Sequence, residues 1–308
     1  LHLLSRRQRQ MCIRDRRSLT RKYYDLTDER SAHINKLKGD LHTVFPQYLD
    51  VFCDVTGKTS TMILRQYGTP DKILRGHKKT MIEKISKASR KGLAKASERY
   101  EKLCAAANAA KTFGCQIDSI YFNIFLTLDL VEKLDSALDS ILNRIRQLIT
   151  FNKNEKFIQQ IKLLNTIPGV GFLTAVTIMC EIGDFSAFRN PKQLFAYFGL
   201  DPEVNESGKF VGTQLHMSKR GSRIARRAIF AVALASIRTK RNGEGINPYL
   251  RKYYELKSGQ KPKMVAIGAV MHKVCNIVFA VLRDEKAFEL RSPEEHCKQY
   301  QRPALAAA

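Results

Sequence analysis

The sequence predicts a mainly α-helical fold: long coiled-coil helices, then a compact helical C-terminal region containing a helix-hairpin-helix. Three observations carry that expectation. From Ser18, the apolar residues Leu19, Tyr23, Leu26, Ile34, Leu37, Leu41 and Val44 recur at helical spacing and stop at Phe45-Pro46, which predicts one long helix. From Ile117, the positions Ile117, Ile120, Ile124, Thr127, Val131, Leu134, Leu138, Ile141, Ile145 and Leu148 alternate three and four residues apart, a heptad seam with one polar break at Thr127. Near the end, Met264, Ile267, Val270, Met271, Val274, Ile277, Val278 and Leu282 form the broad apolar face of a core helix.

A helix carrying the heptad seam is about 45 Å long and has to bury that seam. Packing against the Ser18–Val44 helix and a dimeric coiled coil are both expected. Between the two long helices, Asp54–Thr69 reads as a loop entering a short helix, Thr61–Gln66. Its Gly57-Lys58-Thr59-Ser60 is not a phosphate-binding loop, because the first glycine of that motif would fall at Phe52. Short helices at Thr69–Leu74 and within Lys78–Leu103 resemble a helix-turn-helix insert. They carry Lys72, Arg75, Lys78, Lys79, Lys84, Lys87, Arg90, Lys91 and Lys95, either a solvated face or a phosphate contact.

After the seam, Pro168-Gly169 and Gly171 form a tight turn between two helical segments. In a helix-hairpin-helix such a turn lets backbone amides and a helix N-terminus meet a phosphate; as a purely structural turn it is equally intelligible. A further helix is expected over Ile246–Lys257. His272 and Cys275, three apart with no third ligand, read as packing, and the segment after Ser292 as a polar tail.

The chain has 308 residues, 44% hydrophobic and 27% charged, enough for two domains with a substantial core. Its 53 Lys and Arg against 29 Asp and Glu leave a formal charge of +24, beyond the needs of solubility, so a polyanionic partner is expected and nucleic acid is the default. A membrane is not expected: Leu163–Ile182 is broken by Pro168, Gly169, Gly171 and Glu181, and Ala228–Ile237 is too short to span. The seven cysteines have no C-x-x-C pairing and read as free thiols of a reducing cytoplasm.

The most informative stretch is Leu194–Arg227. An apolar segment breaks at Gly199 into a loop rich in turn formers, with Ser207 at its centre and Asn205 and Glu206 beside it. Ser222 then caps a helix whose apolar positions include Ile224, Ala228, Ala231, Val232 and Ala235. Lys219, Arg220 and Arg223 stand just before and within its first turn, where the helix dipole disfavours cations unless an anion such as phosphate neutralises them.

Four motifs in order, Ile167–Gly171 (IPGVG), Phe188–Pro202 (FRNPKQLFAYFGLDP), Glu206–Lys209 (ESGK) and Ser218–Ala228 (SKRGSRIARRA), resemble the bridge-RNA-guided insertion-sequence transposases, the IS-one-ten family. The pilin-gene inverting recombinases are related to it. The resemblance covers most of Ser18–Phe288 and implies a C-terminal transposase domain that acts through a serine nucleophile, here Ser207. Lys209, Lys219, Arg220 and Arg223 would neutralise the phosphorane, and Gly169 and Gly171 would contact the DNA backbone. Ser218 is the rival nucleophile; Asn205 and Glu206 have no assigned role.

The same resemblance implies an N-terminal RuvC-like α/β domain with four metal-binding carboxylates. No strand-rich segment precedes Ser18, so that domain is expected to be missing. Mg²⁺ then belongs to the intact parent, and no metal ligand or cofactor is expected in this chain. Residues 1–16 share no motif with the rest, and their RRQRQMCIRD resembles translated sequencing-adapter read-through; a basic nucleic-acid-binding arm is the alternative. The expected organisation is therefore foreign residues over 1–16, a helical linker and coiled coil over 17–160, a serine transposase domain over 161–290 and a tail over 291–308.

Two functions follow. The first is DNA transposition or site-specific recombination with DNA and a structured guide RNA as partners, in a homo-oligomer in a bacterial or archaeal nucleoid, with this fragment inactive alone. The second is a non-catalytic nucleic-acid-binding and dimerisation module.

Overall fold

The computed structural model describes residues 2–113, 117–151, 154–203, 206–207, 210–211, 216–292 and 294–295, with backbone alone for 2–13, 113, 206–207 and 210–211. The fold is mainly α. In chain order the helices are α1 (His2–Val44), α2 (Tyr48–Val51), α3 (Lys58–Gln66), α4 (Pro70–Arg75), α5 (Lys78–Ser89), α6 (Leu93–Phe113) and α7 (Asp118–Thr150). They are followed by α8 (Glu155–Asn165), α9 (Phe172–Ile182), α10 (Pro191–Tyr197), α11 (Arg223–Ile237), α12 (Pro248–Ser258) and α13 (Lys263–Asp284). Two short strands, β1 (Glu206–Ser207) and β2 (Phe210–Val211), lie between α10 and α11.

Local chemistry sets several helix starts. Thr69, Asn190 and Asn247 each cap a helix whose next residue is proline, accepting from the backbone N–H of Lys72, Gln193 and Leu250. Asn154 does the same for α8 through the N–H of Phe157. Several expected helix ends lie close to these, but α1 starts at His2, well before the expected Ser18, α3 starts at Lys58, and the expected run Lys78–Leu103 divides at Arg90, whose φ is 53°, and continues to Phe113.

The chain divides into two compact units, 23–141 and 1–22 with 142–308. In the first, Leu37, Leu41, Val44, Phe45 and Tyr48 from the end of α1 and from α2 pack with Ile63, Ile73, Met81, Leu103, Ala107, Ile124 and Leu128. The Tyr48 hydroxyl is satisfied inside this core by the Ser60 carbonyl at 3.0 Å and hydroxyl at 2.9 Å.

Part of the α7 seam is buried within the chain. Ile124, Thr127, Val131, Leu138 and Ile145 are buried, joined by Tyr121, Leu128 and Ile149, whereas Ile117 is exposed and Ile120, Leu134, Ile141 and Leu148 are half-buried. A 3.6-residue helix drifts away from a strict heptad. A second stripe, Phe122, Leu126 and Leu130, faces outward with 62%, 46% and 43% of its surface exposed.

In the second unit, α13 is the central helix and packs against α8, α10, α11 and α12. It is long and apolar enough by composition to cross a bilayer, but Ala266, Val270, Val274, Cys275, Val278 and Leu282 are buried as core. Arg16, within the range expected to be foreign, is buried with its guanidinium 4.3 Å from the Phe157 ring centroid. Truncating the fully buried Leu41 to alanine is expected to cost about 2–5 kcal/mol of unfolding free energy, read by urea denaturation followed by circular dichroism.

Candidate functional site

The segment that holds the loop around Ser207 is built from two glycines. Gly199, at φ 66°, ends α10: its N–H reaches the Ala196 carbonyl at 2.8 Å and that of Leu200 reaches Phe195 at 3.2 Å, a left-handed helix stop. A Cβ on Gly199 would lie 2.4 Å from the Gly221 nitrogen, and one on Gly221 would lie 2.0 Å from the Tyr197 carbonyl. The two backbones cross in contact there, and neither position has room for a side chain.

From the crossing, residues 199–203 and 216–219 run antiparallel as a neck. Lys219 N–H donates to the Gly199 carbonyl at 3.1 Å, Ser218 N–H to Asp201 at 2.8 Å and Glu203 N–H to His216 at 2.7 Å. The Ser218 hydroxyl donates to the Asp201 carboxylate at 2.6 Å, so this rival serine is tied into the neck. Beyond the neck, β1 and β2 pair antiparallel, Glu206 opposite Val211 and Ser207 opposite Phe210. The turn-rich loop, expected to hold no strand, thus forms a short hairpin; glycine-containing turns suit a hairpin as well as an irregular loop. Asn205 and Lys209 lie outside the described residues.

The neck leads into α11. Lys219, in the left-handed region at φ 54°, and Arg220 are exposed, and Arg223 is exposed at the first residue of the helix. Arg226, one turn further, donates to the Phe198 carbonyl at 3.0 Å and so secures the end of α10 from α11.

Beneath this surface lies a residue that sequence reading passed over. Glu181, buried in the last turn of α9, accepts from Arg21 Nε and Nη2 at 2.8 and 2.9 Å and from the Ser222 hydroxyl at 2.8 Å. Ser222 also caps α11, accepting from the Ala225 N–H at 3.2 Å. Arg17 donates to the Cys180 and Glu181 carbonyls at 2.8 and 3.2 Å, and the Tyr197 hydroxyl to the Glu181 carbonyl at 2.9 Å. An anion at a helix C-terminus is opposed by the dipole and by desolvation, so it persists only with such partners. Burial works against ionisation of Glu181, but the hydrogen bonds from Arg21 and Ser222 and the charges of Arg21 and Arg17 outweigh it and hold its carboxyl below the ordinary Glu range. A lone acid on an otherwise apolar helix was the available signal.

Gly169 and Gly171 lie elsewhere. Gly169, at φ 95°, packs on the far end of α11: its Cβ would fall 2.9 Å from the Ser236 hydroxyl, which itself donates to the Pro168 carbonyl at 2.9 Å. Gly171 caps α9 and faces open space. Since α11 has 15 residues, about 22 Å at 1.5 Å per residue, the Gly169 turn and the Lys219–Arg223 cations occupy opposite ends of one helix. His272 packs edge-on against Phe195 at 4.6 Å, burial and Lys273 lower its pKa, and Cys275 is buried. The four cysteines with described side chains, Cys53, Cys104, Cys180 and Cys275, are free thiols.

Comparison with known proteins points to similarity in this part of the chain. Residues 161–255, from α8 into α12, match the model of the Transposase IS116/IS110/IS902 family. It is 24% identical over 272 residues to an insertion element IS110 uncharacterized 43.6 kDa protein of Streptomyces coelicolor, covering 87% of this chain and 63% of that protein. It is 30% identical over 177 residues to the pilin gene-inverting protein of Moraxella bovis, covering 57% and 52%. To the transposase for insertion sequence element IS1111A of Coxiella burnetii it is 26% identical over 188 residues, covering 59% and 50%. The chain spans about half to two thirds of the length of these relatives.

Two outcomes are expected. Gly221→Ala pushes a methyl group into the Tyr197 carbonyl and lowers stability by ~3 kcal/mol, measured by urea denaturation. Glu181→Gln is less stable than wild type at neutral pH. Because the folded pKa of Glu181 is depressed, its contribution is fully present above the ordinary Glu value of 4.5 and is lost as pH falls through the folded pKa. The stability gap between the two proteins therefore closes in that acid window, which pH-dependent denaturation reads out.

Proposed function

We propose that this chain is the DNA-joining part of a transposase or site-specific recombinase, with Ser207 as the nucleophile. The match of residues 161–255 to a transposase family supports the reading most strongly. Ser207 lies in the strand pair beyond a hydrogen-bonded neck whose base leads into Lys219, Arg220 and Arg223. In strand transfer the serine oxygen bonds to phosphorus, one P–O bond of the phosphodiester breaks and the serine proton passes to a base. The released strand departs as an alcohol, and a hydroxyl of the incoming strand reverses the steps. The covalent intermediate conserves the phosphodiester energy, and Lys209, Lys219, Arg220 and Arg223 stabilise the charge on the phosphorane.

Gly171 and the turn at Gly169 supply a second, sequence-independent contact to the DNA backbone, and a structured guide RNA is the other nucleic-acid partner. Among the described residues no three His, Cys, Asp or Glu side chains cluster as a metal site. Mg²⁺ enters with carboxylates from outside this chain. With Mg²⁺ and guide RNA supplied, the chain alone is expected to bind DNA without forming a covalent adduct. Adding a RuvC-like domain yields the adduct with wild type and not with Ser207→Ala, as read on denaturing gels of labelled DNA. An adduct from the chain alone would refute the composite site. Unchanged strand transfer by Ser207→Ala in the reconstituted protein would leave the non-catalytic binding module.

Assembly uses the outward stripe of α7. Phe122, Leu126 and Leu130 recur every four residues and stay exposed, as a self-associating helix face requires. Leu138, in the seam first expected to pair two chains, is only 8% exposed. The double change Leu126→Glu and Leu130→Glu is expected to convert an oligomer to a monomer by light scattering; a monomeric wild type would remove the assembly.

A further inference from the structure

The basic run between Lys72 and Lys95 divides once the chain folds. Lys78 lies 5.9 Å from the Tyr100 ring and Lys84 lies 5.7 Å from the Tyr67 ring, so both are engaged by aromatic faces of their own unit. Other members converge. The reversal at Arg90 brings Lys91 beside α6, where Lys95, Arg99 and Lys102 follow at helical spacing. These four cations, with Asp50 and Glu98, line a cleft of about 300 Å³.

Lys102 takes Glu98 at 2.7 Å. Arg99 rests its guanidinium 5.7 Å from the Phe52 ring, so its stem is fixed and its charge held in place. Lys91, Lys95, Arg99 and Lys102 set against Asp50 and Glu98 leave an excess of two positive charges in a small concave space. Like charges so confined repel and favour an external anion. Each strand of a duplex offers one negative charge per ~3.4 Å of helix axis, so two neighbouring phosphodiesters match the excess.

We propose that the cleft at the α5–α6 elbow is a phosphate-binding site for a nucleic-acid duplex, carried by the unit that does not contain the transposase-matching segment. Arg99 and Lys102 enter it from outside the run that the sequence marks. The proposal goes beyond the strand-transfer reading and needs only that the chain meets nucleic acid.

The test uses the full chain in a Ser207→Ala background, so that binding is read without chemistry. Affinity for labelled DNA and RNA duplexes is measured across a salt series. Lys91→Gln with Lys95→Gln removes two exposed cations from the cleft and is expected to reduce the log-affinity against log-salt slope by about 1.8 on DNA. The charge-conserving pair Lys91→Arg with Lys95→Arg keeps the slope. Lys36→Gln with Lys38→Gln, two exposed lysines of α1 away from the cleft, removes the same charge and leaves the slope near wild type.

Circular dichroism checks that every variant remains helical. The duplex showing the larger loss is the strand the cleft holds. An unchanged slope in the cleft variant, or an equal fall in the α1 variant, overturns the proposal. So does polyglutamate displacing the duplex as well as unlabelled duplex does, which would assign the cleft to acidic peptide.

Discussion

The contact of Gly199 with Gly221 is the constraint on which the candidate site depends. Backbone meets backbone there, with the end of α10 on one side and the start of α11 on the other. The crossing sets where the neck begins, and the neck's hydrogen bonds hold residues 199–203 against 216–219. Any side chain at either glycine would separate the two strands of the neck.

Glu181 adds an electrostatic constraint to the steric one. A carboxylate buried at a helix C-terminus is costly, and its cost is offset by the hydrogen bonds from Arg21 and Ser222 together with the charges of Arg21 and Arg17. Ser222 therefore couples the cap of α11 to α9, while Ser236 couples the other end of α11 to the Pro168 turn. One helix is pinned at both ends by serine hydroxyls. The cations at its start and the glycine turn at its finish become fixed points about 22 Å apart.

The net charge of +24 is not spread as a uniform coat. Some cations stabilise the fold: Arg17, Arg21 and Arg226 satisfy buried carbonyls and a carboxylate, and Lys78 and Lys84 lie on aromatic rings. Many others face outward along several helices, and two groups of them, at Lys219–Arg220 and at Lys91–Lys95, adjoin residues in the left-handed region where the backbone turns sharply.

Helix positions were legible in the sequence because they follow from short-range chemistry: apolar spacing, proline after a capping residue, and glycine where a helix stops. The mainly α class, the core role of α13 and the cap at Ser222 rest on neighbours within a turn or two. The same local information marked the Ser207 loop and the cations that follow it. The tertiary structure alone decided which side of α7 is buried, because periodicity states that a seam exists without naming its partner. It also decided the role of Glu181, whose partners are 160 and 41 residues away in sequence. The Gly199–Gly221 contact and the approach of Asp50 to the Lys91–Lys102 face of α6 were likewise hidden, since close approach between distant segments leaves no periodic trace in a single chain.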